Sequence, residues 1–106
     1  MAGIITGNVQ SLAILLVTFS PVIVAANTTA EQTFTVPGVL AGDACLKVTK
    51  ATAQPGLGIC NSRVSAANTI AVTFINATAT AITPTAGDFY RITIARPDST
   101  QSGFSV

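Results

Sequence analysis

Residues that commonly carry enzyme chemistry are scarce in this chain of 106 residues. It has no His, which removes the most frequent general base and metal ligand. Its acidic residues are Glu31, Asp43, Asp88 and Asp98. Asp43 and Asp88 could converge on a Ca²⁺ ion or form an acid/base pair, but Ca²⁺ takes about 6–8 oxygen ligands and both Asp residues already fit turns. No base adjoins any hydroxyl nucleophile. We therefore expect no enzyme activity, no metal and no cofactor.

The two cysteines, Cys45 and Cys60, fall on neighbouring predicted strands. Cross-strand Cβ atoms come within about 5 Å of each other, so a disulfide is geometrically feasible. The alternative, which we favour, is a pair of reduced thiols that behave as small apolar side chains.

Several other residues have two interpretations. The triplets Asn27-Thr28-Thr29 and Asn76-Ala77-Thr78 match the N-glycosylation pattern, but such triplets are frequent in Thr-rich chains. Arg63, Arg91 and Arg96 fit either an interface or a solvated strand face.

Composition predicts a single small domain that hides part of its surface. Charged residues make up 8% and hydrophobic residues 49% of the chain, against about 25% charged in an average soluble domain. A chain with so little charge usually packs against neighbours. The five basic residues are scattered after position 46 and the formal net charge is +1, which gives no electrostatic footprint for nucleic-acid binding.

The segment LAILLVTFSPVIVAANTT, residues 12–29, has the apolar core and small residues of a secretory signal peptide. However, no Lys or Arg precedes Lys47, although a signal peptide starts with positive charge. Pro21 also interrupts the run, which excludes the roughly 20 uninterrupted apolar residues of a membrane-spanning helix. We therefore predict a strand at Leu12–Phe19 and a short one at Val22–Val24. Because the first run is continuously apolar, we expect both of its faces to be covered.

The rest of the chain has the pattern of short strands joined by turns. The strand-length runs are Ala30–Val36, Asp43–Lys50, Ile59–Ala66, Thr69–Asn76 and Asp88–Arg96. Their spacing predicts an all-β fold, an antiparallel sandwich or small barrel of about seven short strands. Alternation points Leu46 and Val48 inward and Cys45 outward. In the other strands, the residues expected to share one face are Phe34 and Val36; Ile70, Val72 and Phe74; and Tyr90, Ile92 and Ile94.

Turn chemistry explains the repeated residues. AGDACLKVTKA at 41–51 and AGDFYRITIARP at 86–97 begin alike, and we interpret this as a Gly that supplies a special backbone angle followed by an Asp that caps the turn. Ala67-Asn68 predicts a tight hairpin turn. Gly56-Leu57-Gly58 is interpreted as a loop because it lacks the Lys and Ser/Thr of a phosphate loop.

Two long stretches resemble small structural proteins of tailed bacteriophages. They are EQTFTVPGVLAGDACLKVTKATAQPGLGI and RVSAANTIAVTFINATATAITPTAGDFYRITIARP, which carry a TVPG…GD turn, a GLGI…RVSAANT hairpin and an AITPTAG loop. The similarity covers residues 30–97 and lies in the order of turns and strands rather than in a catalytic signature. It implies a virion protein: a capsid decoration (cement) protein or a head or tail spike component.

The resemblance also implies how the protein would assemble. Decoration proteins often occupy local three-fold positions, so the expected state is a homotrimer bound to the major capsid protein at the virion surface, after assembly in the host cytoplasm. Neither nucleic acid nor membrane is an expected partner. The alternative is a secreted or surface β-sandwich adhesin or pilus-type subunit.

We expect an N-terminal apolar segment (1–29), a β-sandwich domain (30–97) and a C-terminal tail (98–106). The first segment should form strands that pack across a neighbouring subunit or onto the shell. Deleting residues 1–20, or replacing Leu15 and Val17 together by Asp, would then separate folded subunits. If the segment is instead the first strand of the domain's own core, the truncated chain would unfold. The predicted interface residues are Leu12, Ile14, Leu15, Leu16, Val17 and Phe19.

Overall fold

The computed structural model describes residues 9–97, which form six antiparallel strands. The strands are β1 (Val9–Phe19), β2 (Thr28–Thr35), β3 (Ala44–Lys50), β4 (Leu57–Ala66), β5 (Thr69–Asn76) and β6 (Asp88–Pro97). They pair into two three-stranded sheets, ordered β1-β6-β3 and β2-β5-β4, whose inner faces enclose one core. The predicted all-β sandwich is thus confirmed. Within residues 9–97, no helix has the length and apolar character needed to span a membrane.

The strand expected at Val22–Val24 does not form, so six strands stand where about seven were expected. Val24 makes an isolated bridge with Ile82. The backbone of Val22 is instead hydrogen-bonded to the side chain of Gln32. The Gln32 amide accepts a hydrogen bond from the Val22 N–H at 2.8 Å and donates one to the Val22 carbonyl at 3.0 Å. The predicted domain boundary between residues 29 and 30 falls inside β2.

The core lies between the sheets and is closed by aromatic rings at the β1/β2 side. The Phe19 ring stacks on Phe34 with centroids 4.1 Å apart and contacts Tyr90 at 4.9 Å. Every residue of the expected one-face sets packs in or against this core, as the alternation predicted. The buried core residues are Phe19, Val24, Val36, Val39, Val48, Ile70, Val72, Phe74, Tyr90, Ile92 and Ile94.

The prediction for the first half of β3 was wrong. Leu46 is 59% exposed, whereas Cys45 packs against the core and Val48 is buried. The cause is an irregularity in the β3–β6 pairing between Cys45 and Lys47, which inserts Leu46 as an extra residue. A bulge of this kind changes the alternation of side chains on one side of it.

The glycine of each repeated Ala-Gly-Asp stretch adopts a left-handed backbone conformation, with φ of +94° at Gly42 and +66° at Gly87. A residue without Cβ takes such angles at little cost. Asn68 in the predicted hairpin turn also has a positive φ, of 59°, and its side chain accepts a hydrogen bond from the Gly38 N–H at 2.9 Å. The predicted roles of these turn residues are confirmed.

Tyr90 offers a direct test of the core. Its hydroxyl is buried and has no hydrogen-bond partner among the described residues, and burial raises its pKa to about 12. Because an unpaired buried hydroxyl costs about 1–3 kcal/mol, Tyr90→Phe should leave the free energy of unfolding unchanged or raise it by about 1 kcal/mol. Urea denaturation measures this change. A clear loss of stability would contradict an unpaired hydroxyl.

Candidate interaction surface

The outer face of the β1-β6-β3 sheet presents large apolar side chains to solvent. Along β1, Leu12, Ile14 and Leu16 are 56%, 68% and 58% exposed. Thr18, the next outward residue of β1, pairs with Phe89 of β6, which is 53% exposed. The pairings of β6 with β3 bring Lys47 and Thr49 onto the same face, beside Thr93 and Arg91. We call this surface the apolar outer face; its apolar members are Leu12, Ile14, Leu16 and Phe89.

The six predicted interface residues divide between two faces of β1. Leu12, Ile14 and Leu16 lie on the apolar outer face. The other three, Leu15, Val17 and Phe19, pack in or against the chain's own core. Since side chains alternate along a strand, one run supplies both sets. Within residues 9–97 only the inward face is covered, and the role of the outward face as an interface stays a prediction.

The outer face of the β2-β5-β4 sheet is different in character. Glu31 and Arg63 form an ion pair across it at 3.0 Å. Its outward positions on β2 are otherwise threonines, among them Thr29 and Thr33. A strand face of threonine and charge is ordinary for a solvated antiparallel sheet. The contrast singles out the apolar outer face as the unusual surface of the domain.

Charge distribution also separates the two faces. Lys47 and Arg91 are exposed and have no carboxylate partner among residues 9–97, and both lie on the apolar outer face. From the sequence alone Arg91 fits either an interface or a solvated face. Phe89 was not predicted to belong to an interface, although the alternation that points Tyr90 inward also points Phe89 outward. Within the described range the ion pairs are Glu31–Arg63, Asp43–Arg96 and Lys50–Asp88.

Asp43 and Asp88 lie near opposite ends of β6 and do not converge. Asp88 begins β6, whereas Asp43 binds Arg96 near its end. The Arg96 guanidinium donates to both Asp43 oxygens, at 3.0 and 2.8 Å. No group of three or more metal-binding side chains occurs among residues 9–97. The structure therefore gives the two carboxylates turn-anchoring contacts rather than a shared site.

Both carboxyl groups have lowered pKa values. The hydrogen bond from Arg96, aided by one from the Leu40 N–H, holds the pKa of Asp43 below its ordinary value in spite of burial. Burial raises the pKa of Asp88, but hydrogen bonds from Lys50 and Thr52 outweigh it, so the net direction is also down.

These shifts predict that acid destabilises the fold. Because both folded-state pKa values lie below the unfolded ones, the carboxylates stabilise the fold above the ordinary Asp pKa of about 3.9, and this contribution is lost as pH falls through the folded values. The urea midpoint should fall between about pH 6 and pH 2.5. Asp43→Asn should shrink that fall, because one of the two groups no longer titrates. A midpoint that does not change over this range would contradict the prediction.

The two thiols are not bonded to each other in the structure. Cys45 Sγ lies 3.3 Å from Ser62 Oγ, and Cys60 Sγ lies 3.6 Å from the Thr73 carbonyl oxygen. We predict that Cys45→Ala combined with Cys60→Ala barely changes assembly and leaves the unfolding midpoint nearly unchanged, since neither thiol carries a cross-link. Thiol titration of freshly isolated protein should find two free groups, whereas a large stability loss on reduction would overturn this prediction.

The Asn76 amide is fully buried and fully hydrogen-bonded. It donates to the carbonyls of Val24 at 3.1 Å and Thr80 at 2.9 Å, and it accepts from the N–H and hydroxyl of Thr78 at 2.9 and 2.7 Å. With both amide hydrogens donated inside the fold, Asn76 cannot carry a glycan in this conformation. The triplet is therefore a structural feature here.

An open groove of about 680 Å³ runs between β3 and β4. These are the edge strands of the two sheets on the side away from β1 and β2. Val48, Leu57, Ile59 and Phe74 contribute its apolar lining. Cys45 and Ser62 also line it, and their side chains contact each other at 3.3 Å between the two strands. Edge strands leave backbone groups free to pair with another strand.

The fold and its surfaces define a small all-β sandwich domain with one apolar outer face. Comparisons with protein-family models, with curated proteins and with solved structures found no match for this chain.

Proposed function

We propose that this chain is a structural protein of a tailed-phage virion, acting as a capsid decoration protein that binds the outside of the major capsid lattice. It works by binding rather than by catalysis and forms a homotrimer at the virion surface. The observation that carries the proposal is the apolar outer face, with Leu12, Ile14 and Leu16 each more than half exposed. A decoration protein needs such a surface because it must hold to a lattice without a covalent link.

Three further observations support this proposal. Cys45 and Cys60 are unbonded, which suits assembly in a reducing cytoplasm. Cleavage before Asn27, as in an exported protein, would remove β1 and Val24 from a core to which they contribute. The resemblance of residues 30–97 to phage structural proteins points to the same class.

A pilus-type subunit or adhesin is the second candidate, and the groove between β3 and β4 favours it. An extended segment from another subunit could pair with either edge strand and place side chains over Val48 and Phe74. This candidate predicts export and a mature N-terminus at Asn27. The loss of β1 that such cleavage entails argues against it.

The test compares particles from cells that carry the gene with particles from the same cells after its deletion. We expect the chain to co-sediment with particles, and electron microscopy to show density on the outer shell that disappears with the gene. Replacing Leu12, Ile14 and Leu16 together by Ser should release the chain from particles, whereas Thr29→Ser with Thr33→Ser on the other face should not. The chain in the culture fluid, starting at Asn27 and absent from particles, would overturn the proposal.

A further inference from the structure

The four edge strands differ in how far they are protected against pairing with another chain. β3 carries Lys47, Lys50 and a bulge. β4 carries Arg63 and two irregularities in its pairing with β5. β2 carries Glu31 and binds the backbone of Val22 through a glutamine. Charged residues and bulges are the usual features that prevent edge-to-edge association.

β1 lacks these features along most of its length. No charged residue or proline occurs anywhere in Val9–Phe19, and the single irregularity lies at its start, between Val9 and Ser11. Its only pairing partner among the described residues is β6, so its other edge is unpaired there. An exposed, long and apolar edge strand favours the addition of another strand.

The inward side of β1 is also incompletely covered near its start. Ala13 shares the inward face with Leu15, yet it is exposed. A cavity of about 200 Å³ lies beside it, lined by Ser11, Ala13 and Leu15 together with residues 37–39. The unpaired edge and this gap occur at the same place. A strand added along β1 would therefore cover apolar groups on both faces of the sheet.

We propose that β1 pairs antiparallel with β1 of a second copy. The two strands are related by a two-fold axis that passes midway between Ile14 of one copy and Ile14 of the other. In this register Val9–Phe19 overlaps its counterpart over all eleven residues. On the outer face Ile14 opposes itself, and Leu12 opposes Leu16 of the second copy. Inward and outward faces match, and the two β1-β6-β3 sheets become one continuous sheet.

A second copy of the same chain is the partner that best fits the unpaired edge of β1. Because β1 carries no charge, no like charges oppose each other across the contact, and the register sets Gln10 against Thr18 and Ala13 against Leu15. A two-fold pairing uses both β1 edges and leaves none open, so the contact closes rather than growing into a fibre. This contact goes beyond the proposed function: it pairs one subunit of a trimer with one subunit of a neighbouring trimer, and the contacts within each trimer lie elsewhere.

Sedimentation of the full chain with paired charge substitutions tests both the contact and its register. Leu12 and Leu16 are exposed, so their replacement should preserve the monomer fold. Leu12→Lys with Leu16→Lys sets like charges opposite each other, at cross-strand Cβ distances of about 5 Å, and should abolish the two-fold contact. Leu12→Lys with Leu16→Glu sets opposite charges together twice and should restore it. Thr29→Lys with Thr33→Lys has the same spacing on β2 and should leave the contact intact.

Hydrogen exchange supplies an independent measurement. Backbone amides of β1 should become more protected as the concentration of the wild-type chain rises, and this gain should vanish in the double-lysine variant. A wild-type chain that sediments only as a monomer or only as a trimer at high micromolar concentration would overturn the inference, as would a Lys/Glu variant that sediments like the Lys/Lys variant. These measurements use purified protein without particles, so failure of capsid binding and failure of β1 pairing are separate results.

Discussion

Deletion of residues 1–20 should unfold the remaining chain instead of releasing folded subunits. β1 pairs with β6 along nearly its whole length. Phe19 is 5% exposed and stacks on Phe34, while Leu15 and Val17 pack against the same core. Full burial of such a side chain contributes about 1.5–3 kcal/mol, and the half-buried Leu15 and Val17 contribute part of that. Together with the loss of the β1–β6 pairing, this is comparable to the lower end of the total stability of a small domain, about 5–15 kcal/mol.

Circular dichroism of the truncated chain, measured beside its sedimentation, distinguishes the outcomes. We expect the β-sheet spectrum and the cooperative thermal transition to be lost. Deletion of residues 1–8 is the matched control, because it leaves all of β1 in place, and this shorter deletion should keep the transition. A cooperative transition in the chain that lacks residues 1–20 would contradict the role of β1 in the core.

Aspartate substitutions on the inward side of β1 should also unfold the chain. Leu15→Asp with Val17→Asp, expected from sequence to separate folded subunits, should instead unfold the monomer, since both side chains face the core and a buried charge without a partner is very costly. The outward neighbour Leu16 provides the comparison. Leu16→Asp should leave the monomer folded and weaken only association.

Alternation and turn chemistry were sufficient to predict the fold class. Strands with a clear two-residue period, such as β5 and β6, were predicted with the correct inward faces, because one face of each is apolar and the other is not. The glycines at 42 and 87 were predicted as turn residues because few other residues adopt a positive φ at low cost.

The features that the sequence did not predict belong to segments that lack a two-residue period or depend on distant contacts. β1 is apolar at both its inward and outward positions, so its composition could not show which face meets the core. The bulge at Leu46 depends on how β3 pairs with β6, which no local pattern in β3 reveals. Gln32 replaces a strand partner for Val22 across ten positions of sequence, a contact that exists only once the chain is folded.

Only part of the apolar outer face could be predicted from the sequence, because part of it is formed by residues that are distant along the chain. Leu12, Ile14 and Leu16 stood out because aliphatic side chains gathered in one run. Phe89 comes from a strand almost seventy residues later and joins this face only through the β1–β6 pairing. A surface built by pairing distant strands needs the register, and the register is set by the whole sheet.

Asn76→Ala should be among the most damaging single substitutions in this chain. The Asn76 side chain is fully buried and holds together three segments: the bridge at Val24, the end of β5 and the turn at Thr78–Thr80. Alanine removes all the hydrogen bonds of the amide. The Val24 carbonyl keeps the bond from the Ile82 N–H and the Thr80 carbonyl keeps the one from the Thr78 hydroxyl, whereas the Thr78 N–H loses its partner. A lost hydrogen bond costs about 0.5–1.5 kcal/mol and an unsatisfied buried group about 1–3 kcal/mol, so we expect a total loss of about 2–4 kcal/mol after relaxation of the turn.

Asn76→Asp distinguishes loss of hydrogen bonds from loss of volume. The carboxylate has nearly the same shape, but it cannot donate to Val24 and Thr80 and adds a buried negative charge, which raises the pKa of the new group above its unfolded value. A raised carboxyl pKa means that the folded state binds the proton more tightly, so this variant should gain stability relative to the wild type as pH falls from about 7 to 5. Urea midpoints over that range measure the effect. Asn61→Asp, at an exposed position of β4, is the matched control and should show almost no such gain. Equal pH dependence in the two variants would mean that the Asn76 site is open to water, and the amide would then not be the buried link between these three segments.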